Sequence, residues 1–101
     1  MAVVSINENN FEEIKNGSKT VLIDFYADWC GPCKMVSPIV DKIAEEHPEY
    51  IVGKVNVDDE PDLAESYGVM SIPTLVVLKG GEVAAKTVGV QSKEAILEML
   101  K

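Results

Sequence analysis

The chain has 101 residues, 47% of them hydrophobic and 26% charged, and this size predicts one domain over residues 1–101 that can bury a substantial core. Nine lysines, no arginine and seventeen acidic residues give a formal net charge of −8, which disfavours binding to nucleic acid or to anionic lipid. The first residues carry neither a basic segment nor a long apolar run, so we expect no signal peptide, no membrane span and a reducing, cytoplasmic environment.

The N-terminal segment predicts a strand followed by a helix. Residues 3–6 are mostly β-branched, which is typical of a strand. Phe11 and Ile14 stand at helical spacing, and we expect Gly17 to end this helix in a left-handed conformation.

A nearly unbroken apolar run at 20–26 predicts a central strand covered on both faces, and Asp24 is its exception. A helix with an apolar stripe is predicted over 33–46. Pro38 should kink this helix, and the alternative is that it separates two helices.

The remaining elements are predicted from alternation, turn glycines and capping residues. They are a strand at 50–57, a short helix from Pro61 to Gly68, strands at 74–78 and 82–88 joined by Gly80-Gly81, and a last helix capped by Ser92. The order βαβαβαββα predicts a mostly parallel sheet to which the glycine hairpin adds an antiparallel edge strand. The predicted fold is therefore a three-layer α/β/α sandwich with a mixed central sheet.

A Cys-Gly-Pro-Cys sequence at 30–33 contains the only two cysteines. Two thiols at this spacing can close a small ring, and the unpaired N–H groups at a helix N-terminus favour the thiolate of Cys30. We interpret the pair as a redox centre. The alternatives are a structural disulfide, which at so short a loop length contributes only about 2 kcal/mol, and a zinc site, for which His47 is the remaining Cys or His ligand.

Residues 24–34 read Asp-Phe-Tyr-Ala-Asp-Trp-Cys-Gly-Pro-Cys-Lys and resemble the active-site segment of the thioredoxin family, and Ile-Pro-Thr-Leu at 72–75 resembles its second motif. The likeness extends over essentially the whole chain. It implies the thioredoxin fold and a protein-disulfide reductase acting by dithiol–disulfide exchange, with Cys30 as an exposed nucleophile and Cys33 as a buried resolving thiol. This division agrees with thiol chemistry, because attack needs a thiolate and release needs a second sulfur nearby.

Asp24 interrupts an apolar strand in which burial of an ionised carboxylate is unfavourable, so we expect its pKa to be raised. By resemblance, Asp24 lies beneath the cysteines and exchanges a proton with Cys33, with Lys54 on the neighbouring strand as its charge partner. The alternatives are an Asp24 that is solvated at a turn and a Lys54 that simply faces water.

The resemblance also implies a substrate-binding surface. Pro73 resembles the family's cis-proline, which lies against the cysteine pair and leaves the backbone of Ile72 free to pair with an extended substrate segment. Trp29, Ile72, Pro73 and residues 88–90 are predicted to form an apolar surface, which we call the apolar rim. The alternative for Trp29 is that it is an ordinary core residue. The predicted substrate-binding residues are Trp29, Gly31, Pro32, Ile72, Pro73 and Gly89.

The partners implied by the resemblance are disulfide-containing protein substrates and a separate thioredoxin reductase that supplies reducing equivalents, with no bound cofactor and no metal. We expect a cytoplasmic monomer that takes part in electron transport and cell redox homeostasis, without nucleic-acid or membrane partners. Two other functions stay open. One is a thiol oxidant or isomerase of the same fold, which differs in reduction potential, and the other is a non-enzymatic module that binds a partner through the apolar rim.

Overall fold

A five-stranded sheet with helices on both faces forms the protein, and the computed structural model describes residues 3–101. The strands are β1 (Val3–Ser5), β2 (Val21–Tyr26), β3 (Ile51–Asn56), β4 (Thr74–Lys79) and β5 (Glu82–Val88). The helices are α1 (Phe11–Lys15), α2 (Gly31–Glu46), α3 (Pro61–Ser66) and α4 (Lys93–Leu100). The order of elements is the one predicted from the sequence. Within residues 3–101, no helix has the length and hydrophobicity needed to cross a bilayer.

The strands lie in the order β1-β3-β2-β4-β5. β1, β3 and β2 are parallel, whereas β4 runs antiparallel to both β2 and β5. The predicted mixed α/β/α sandwich is confirmed, but the expectation of mostly parallel pairing is wrong. The difference arises at β4, which follows α3 and enters the sheet beside β2 in the opposite direction, so that both pairings of β4 are antiparallel.

Side-chain alternation along the strands divides the core into two layers. Ile23 and Phe25 pack on the face covered by α1 and α3, whereas Leu22 and Val52 pack on the face covered by α2 and α4. Asp24 lies two residues after Leu22 on β2, so the two side chains point to the same face of the sheet. Its side chain is therefore directed to the α2 face of the sheet.

Helix α2 begins at Gly31, two residues earlier than predicted, with Cys30 as its N-cap in an extended conformation. Pro32 lies in the first turn, where its missing N–H costs no helical hydrogen bond. Pro38 lies inside the same helix, so the alternative of two separate helices is wrong. One continuous helix thus carries the cysteine pair at its N-terminus.

The turn glycines match the sequence prediction except at one position. Gly68 follows α3 with a φ of +65°, and Gly80 and Gly81 form the β4–β5 turn with φ values of +61° and +82°. Gly17 has no positive φ, so the expectation of a left-handed residue there is wrong. The backbone N–H of Gly17 bonds to the carbonyl of Ile14, a 3₁₀-type turn that ends α1 without a left-handed residue.

Candidate active site

The two cysteines are joined by a disulfide at the N-terminus of α2, with their Cα atoms 5.3 Å apart. The sulfur of Cys30 accepts a 3.2 Å hydrogen bond from the N–H of Cys33. This N–H is one of the donors that a helix leaves unpaired at its N-terminus, and such donors favour a thiolate when the disulfide is reduced. The geometry suits a pair that cycles between dithiol and disulfide.

The two cysteines have different surroundings, although both are buried. Cys30 is 4% exposed and Cys33 is 3% exposed, so the expectation of an exposed Cys30 is wrong for the disulfide form. Cys30 is covered because its sulfur lies 3.8 Å from the carbonyl oxygen of Ile72, in the loop before β4. Cys33 lines a cavity on the other side, together with Asp24. The Cys30 sulfur therefore lies on the side of the Ile72 loop, and Cys33 lies on the side of the cavity.

The loop opposite the cysteines contains a cis peptide bond between Ile72 and Pro73, as the family resemblance implies. The carbonyl of Pro73 accepts a 2.8 Å hydrogen bond from the N–H of Gly89. Gly89 has a φ of +94°, a conformation that favours glycine, and among residues 3–101 no heavy atom outside Gly89 and its two chain neighbours lies within 4 Å of where its Cβ would stand. This hydrogen bond joins the two loops of the apolar rim.

Trp29 is 71% exposed, so the alternative of an ordinary core residue is wrong. Its indole N–H donates a 2.9 Å hydrogen bond to the carboxylate of Asp58, which orients the ring. Trp29 lines a surface groove together with Ile72, and Gly31 and Pro32 are exposed beside the cysteines. Within the apolar rim, Trp29, Val88 and Val90 expose apolar surface, whereas Pro73 is buried.

Asp24 is 1% exposed, and within residues 3–101 neither of its carboxylate oxygens has a hydrogen-bond partner. Burial raises the pKa of Asp24 from 3.8 to about 6, while the positive charge of Lys54 lowers the pKa and the negative charge of Asp41 raises it. Asp24, Cys33 and Lys54 line the same cavity of about 270 Å³. A carboxyl group with this pKa, in one cavity with a thiol, can gain and lose a proton near neutral pH.

Lys54 stands opposite Asp24 in the pairing of β2 with β3, but its ammonium group binds elsewhere. Its Nζ donates a hydrogen bond to the hydroxyl of Ser37 and lies 2.9 Å from a carboxylate oxygen of Asp41. The charge of Lys54 lowers the pKa of Asp24, but the direct ion pair of Lys54 is with Asp41. The reason is that α2 places two oxygen acceptors over β3, and the ammonium takes these.

Within residues 3–101, no three His, Cys, Asp or Glu side chains converge in a way that could hold a metal ion. His47, the zinc ligand considered from the sequence, is the C-cap of α2, and its Nδ1 lies 3.1 Å from Glu49. The cysteines stand at the other end of this sixteen-residue helix, about 24 Å away. His47 and the cysteines cannot share one ion.

Sequence reasoning missed three residues of the site: Ser37, Asp41 and Asp58. A signal for the first two exists, because they follow Cys33 at successive intervals of four residues and so share one side of the helix. Asp58 carries no such signal. Its contact with Trp29 joins residues 29 positions apart, and its neighbour Asp59 has the same side chain.

A mixed sheet that carries a disulfide-forming pair at a helix N-terminus, facing a cis-proline loop, defines a thiol–disulfide oxidoreductase. The sequence profile of the Thioredoxin family matches residues 2–101, and the chain belongs to that family. The protein is accordingly a protein-disulfide reductase that acts by dithiol–disulfide exchange through Cys30 and Cys33.

Individual proteins similar in sequence or structure are also thioredoxins or come from structures of thioredoxin systems. A thioredoxin of Alicyclobacillus acidocaldarius is 42% identical over 94% of this chain and 91% of its own, and one of Pyropia yezoensis is 45% identical over 99% and 95%. Among solved structures, a mutant thioredoxin from Halobacterium salinarum superposes with a TM-score of 0.90 at 36% identity, covering 97% of this chain and 87% of that one. A chain from a structure on the thiol-resolving mechanism of yeast mitochondrial 1-Cys peroxiredoxin via glutathione/thioredoxin systems superposes with a TM-score of 0.88 at 31% identity. The match covers 98% of this chain and 93% of that one.

Proposed function

We propose that Cys30 attacks the disulfides of substrate proteins and that Cys33 resolves the mixed disulfide that forms. The observation that carries this assignment is the position of Cys30 as the N-cap of α2, where its sulfur accepts the Cys33 N–H. The N–H groups and the positive end of the helix dipole favour a thiolate there. Cys30 also lies against Ile72 of the apolar rim, whereas Cys33 lines the cavity that contains Asp24.

The proposed exchange has two steps. The Cys30 thiolate attacks one sulfur of the substrate disulfide, the substrate S–S bond breaks, and the other substrate sulfur leaves as a thiolate that takes up a proton. The Cys33 thiolate then attacks the sulfur of Cys30, and the second substrate sulfur leaves and is protonated. The substrate gains two electrons and two protons, and the protein is left with a Cys30–Cys33 disulfide.

Asp24 is proposed to take the proton from Cys33 before the second step. The shared cavity and the pKa of about 6 support this role, because a carboxylate of that pKa is a competent base for a thiol near neutrality. Lys54 is proposed to assist from the neighbouring strand, since its positive charge stabilises the ionised form of Asp24.

We place the substrate segment along the apolar rim, in extended conformation beside Ile72 and close to the Cys30 sulfur. The exposed ring of Trp29 supplies apolar contact area, and the open space at Gly89 admits the substrate backbone. The proposed substrate-binding residues are Trp29, Gly31, Pro32, Ile72, Pro73 and Gly89.

Each cycle leaves a disulfide that a second protein must reduce, and we propose a thioredoxin reductase as that electron donor. A disulfide reductase works where thiols are kept reduced, so we propose a cytoplasmic protein that serves electron transport and cell redox homeostasis. We also propose that residues 1–101 act as one monomeric domain without bound cofactor, nucleic acid or membrane. The net charge of −8 supports the proposal that the protein binds neither nucleic acid nor a membrane.

Turnover of a protein disulfide, measured in the presence of a thioredoxin reductase, tests this function. The wild type should turn over, and Cys30→Ser and Cys33→Ser should each abolish turnover because both sulfurs take part. Equilibration with glutathione separates a reductase from an oxidant: a reductase gives its electrons to glutathione disulfide and ends mainly oxidised, and an oxidant ends mainly reduced. Partner binding by the double serine variant, with no turnover by the wild type, would instead identify a binding module.

A further inference from the structure

Lys54 and Asp24 stand side by side on neighbouring parallel strands, yet they form no ion pair. Register partners in a sheet lie about 4.8 Å apart, well within reach of a lysine side chain. A buried carboxylate without a partner is unfavourable, so an ion pair with Lys54 is the arrangement that charge alone predicts. Another interaction must hold the ammonium away.

That interaction comes from α2. The Lys54 Nζ donates to the hydroxyl of Ser37 and lies 2.9 Å from Asp41. Cys33, Ser37 and Asp41 follow one another at intervals of four residues, which aligns them along one side of the helix. The helix that carries the resolving sulfur thus also carries both acceptors of the Lys54 ammonium.

We propose that Ser37 and Asp41 are positioning residues: they hold the Lys54 ammonium away from Asp24 and leave Asp24 free to exchange a proton with Cys33. This inference rests on the proposed role of Asp24 in proton transfer. A carboxylate locked in an ion pair with Lys54 would stay ionised and could not carry a proton to or from a thiol near neutrality.

The charges around Asp24 agree with the proposal that Lys54 is held away from it. Its neighbour in β4 is the apolar Leu75, and burial is the largest influence on its pKa. Lys54 lowers that pKa and Asp41 raises it, with Lys54 the larger of the two effects. The other charged side chains on the cavity wall are Asp28, in the loop after β2, and Lys34, on α2.

Asp41→Asn should therefore shift the titration of Asp24 toward acid. The substitution removes a negative charge that raises the Asp24 pKa, and it frees the ammonium to turn to the neighbouring carboxylate. Because an opposite charge at close range lowers a carboxyl pKa by roughly 1 to 3 units, we expect the midpoint to fall by at least about one pH unit, a tenfold loss of proton affinity. Ser37→Ala should give a smaller shift in the same direction.

The test is a carbon NMR titration of the Asp24 carboxyl group in the oxidised protein. Glu45→Gln is the matched control, because it removes the same charge from an exposed position one turn further along α2. The inference holds if Asp41→Asn shifts the midpoint clearly more than Glu45→Gln and if the shift caused by Asp41→Asn is mostly lost when both proteins compared carry Lys54→Met. A shift no larger than that of Glu45→Gln, or one that persists without Lys54, would overturn it.

The pH profile of disulfide reduction provides a second readout that a merely structural contact would not move. In Asp41→Asn, the acidic limb of this profile should move toward acid together with the Asp24 midpoint. Asp41→Glu, which keeps the negative charge, should give the wild-type profile. The underlying role of Asp24 is tested separately, by the rate of Asp24→Asn. An unchanged rate in that variant would refute proton transfer by Asp24, while the NMR titration would still decide whether Ser37 and Asp41 withhold Lys54.

Discussion

Replacing Asp24 by asparagine exchanges a buried, unpartnered carboxyl group for a neutral group of the same shape. The native-state pKa of about 6 lies above the ordinary value of 3.8, so ionisation is disfavoured in the folded protein. The difference corresponds to about 3 kcal/mol of unfolding free energy, which the wild type lacks above pH 6. The penalty is absent below pH 3.8, where Asp24 is protonated in both states, and it grows as the pH rises from 3.8 to about 6. Asp24→Asn should therefore be more stable than the wild type at neutral pH and equally stable in acid.

Urea unfolding of the oxidised protein at about pH 8 and about pH 3 measures this difference. With a slope of about 1–3 kcal/mol per molar urea, the midpoint of Asp24→Asn should rise by about 1–3 M at the higher pH and remain unchanged at the lower. Asp59→Asn, at an exposed position, is the matched control and should be neutral at both. The same variant of Asp24 should reduce disulfides more slowly, because the proton acceptor is lost. An equal gain at both pH values, or no gain at about pH 8, would refute the buried-charge explanation.

Three further outcomes are expected. Alkylation of the reduced protein at neutral pH should modify Cys30 well before Cys33, as measured by mass spectrometry, and equal labelling would contradict the thiolate assignment. Gly89→Ala should lower the unfolding free energy by about 1–2 kcal/mol and weaken disulfide reduction, since a φ of +94° disfavours a side chain. Gly53→Ala should destabilise by about 1–3 kcal/mol, because its Cβ would clash with Cδ1 of Ile6, and the same substitution should cost less in an Ile6→Ala background than in the wild type.

Features whose signal lies in a few adjacent residues could be predicted from the sequence. Alternation marks β3, the paired glycines mark the β4–β5 turn, and Ser92 caps α4 by accepting a 3.1 Å hydrogen bond from the N–H of Ala95. The cysteine pair belongs to this class, because its spacing alone brings two sulfurs together at a helix N-terminus. The buried carboxyl of Asp24 could also be predicted, since its apolar neighbours on β2 lie within the same run.

Features that depend on contacts between distant segments could not be predicted in this way. The direction of β4 is seen in its pairing with the distant strand β2, and the covering of Cys30 depends on Ile72, 42 positions away. Whether Lys54 forms an ion pair with Asp24 or with Asp41 depends on how α2 lies over β3. In each case the local pattern is compatible with both outcomes, and tertiary packing selects one.

Covalent trapping tests the central claim, that Cys30 attacks and Cys33 resolves, most directly. Without a resolving thiol the mixed disulfide cannot be released quickly, so Cys33→Ser should accumulate complexes with disulfide-containing proteins, linked through Cys30. Cys30→Ser should trap few, because its remaining thiol faces the cavity of Asp24 rather than the apolar rim. Mass spectrometry of complexes isolated without reductant identifies the linking sulfur. Equal trapping by the two variants, or linkage mainly through Cys33, would contradict the assignment.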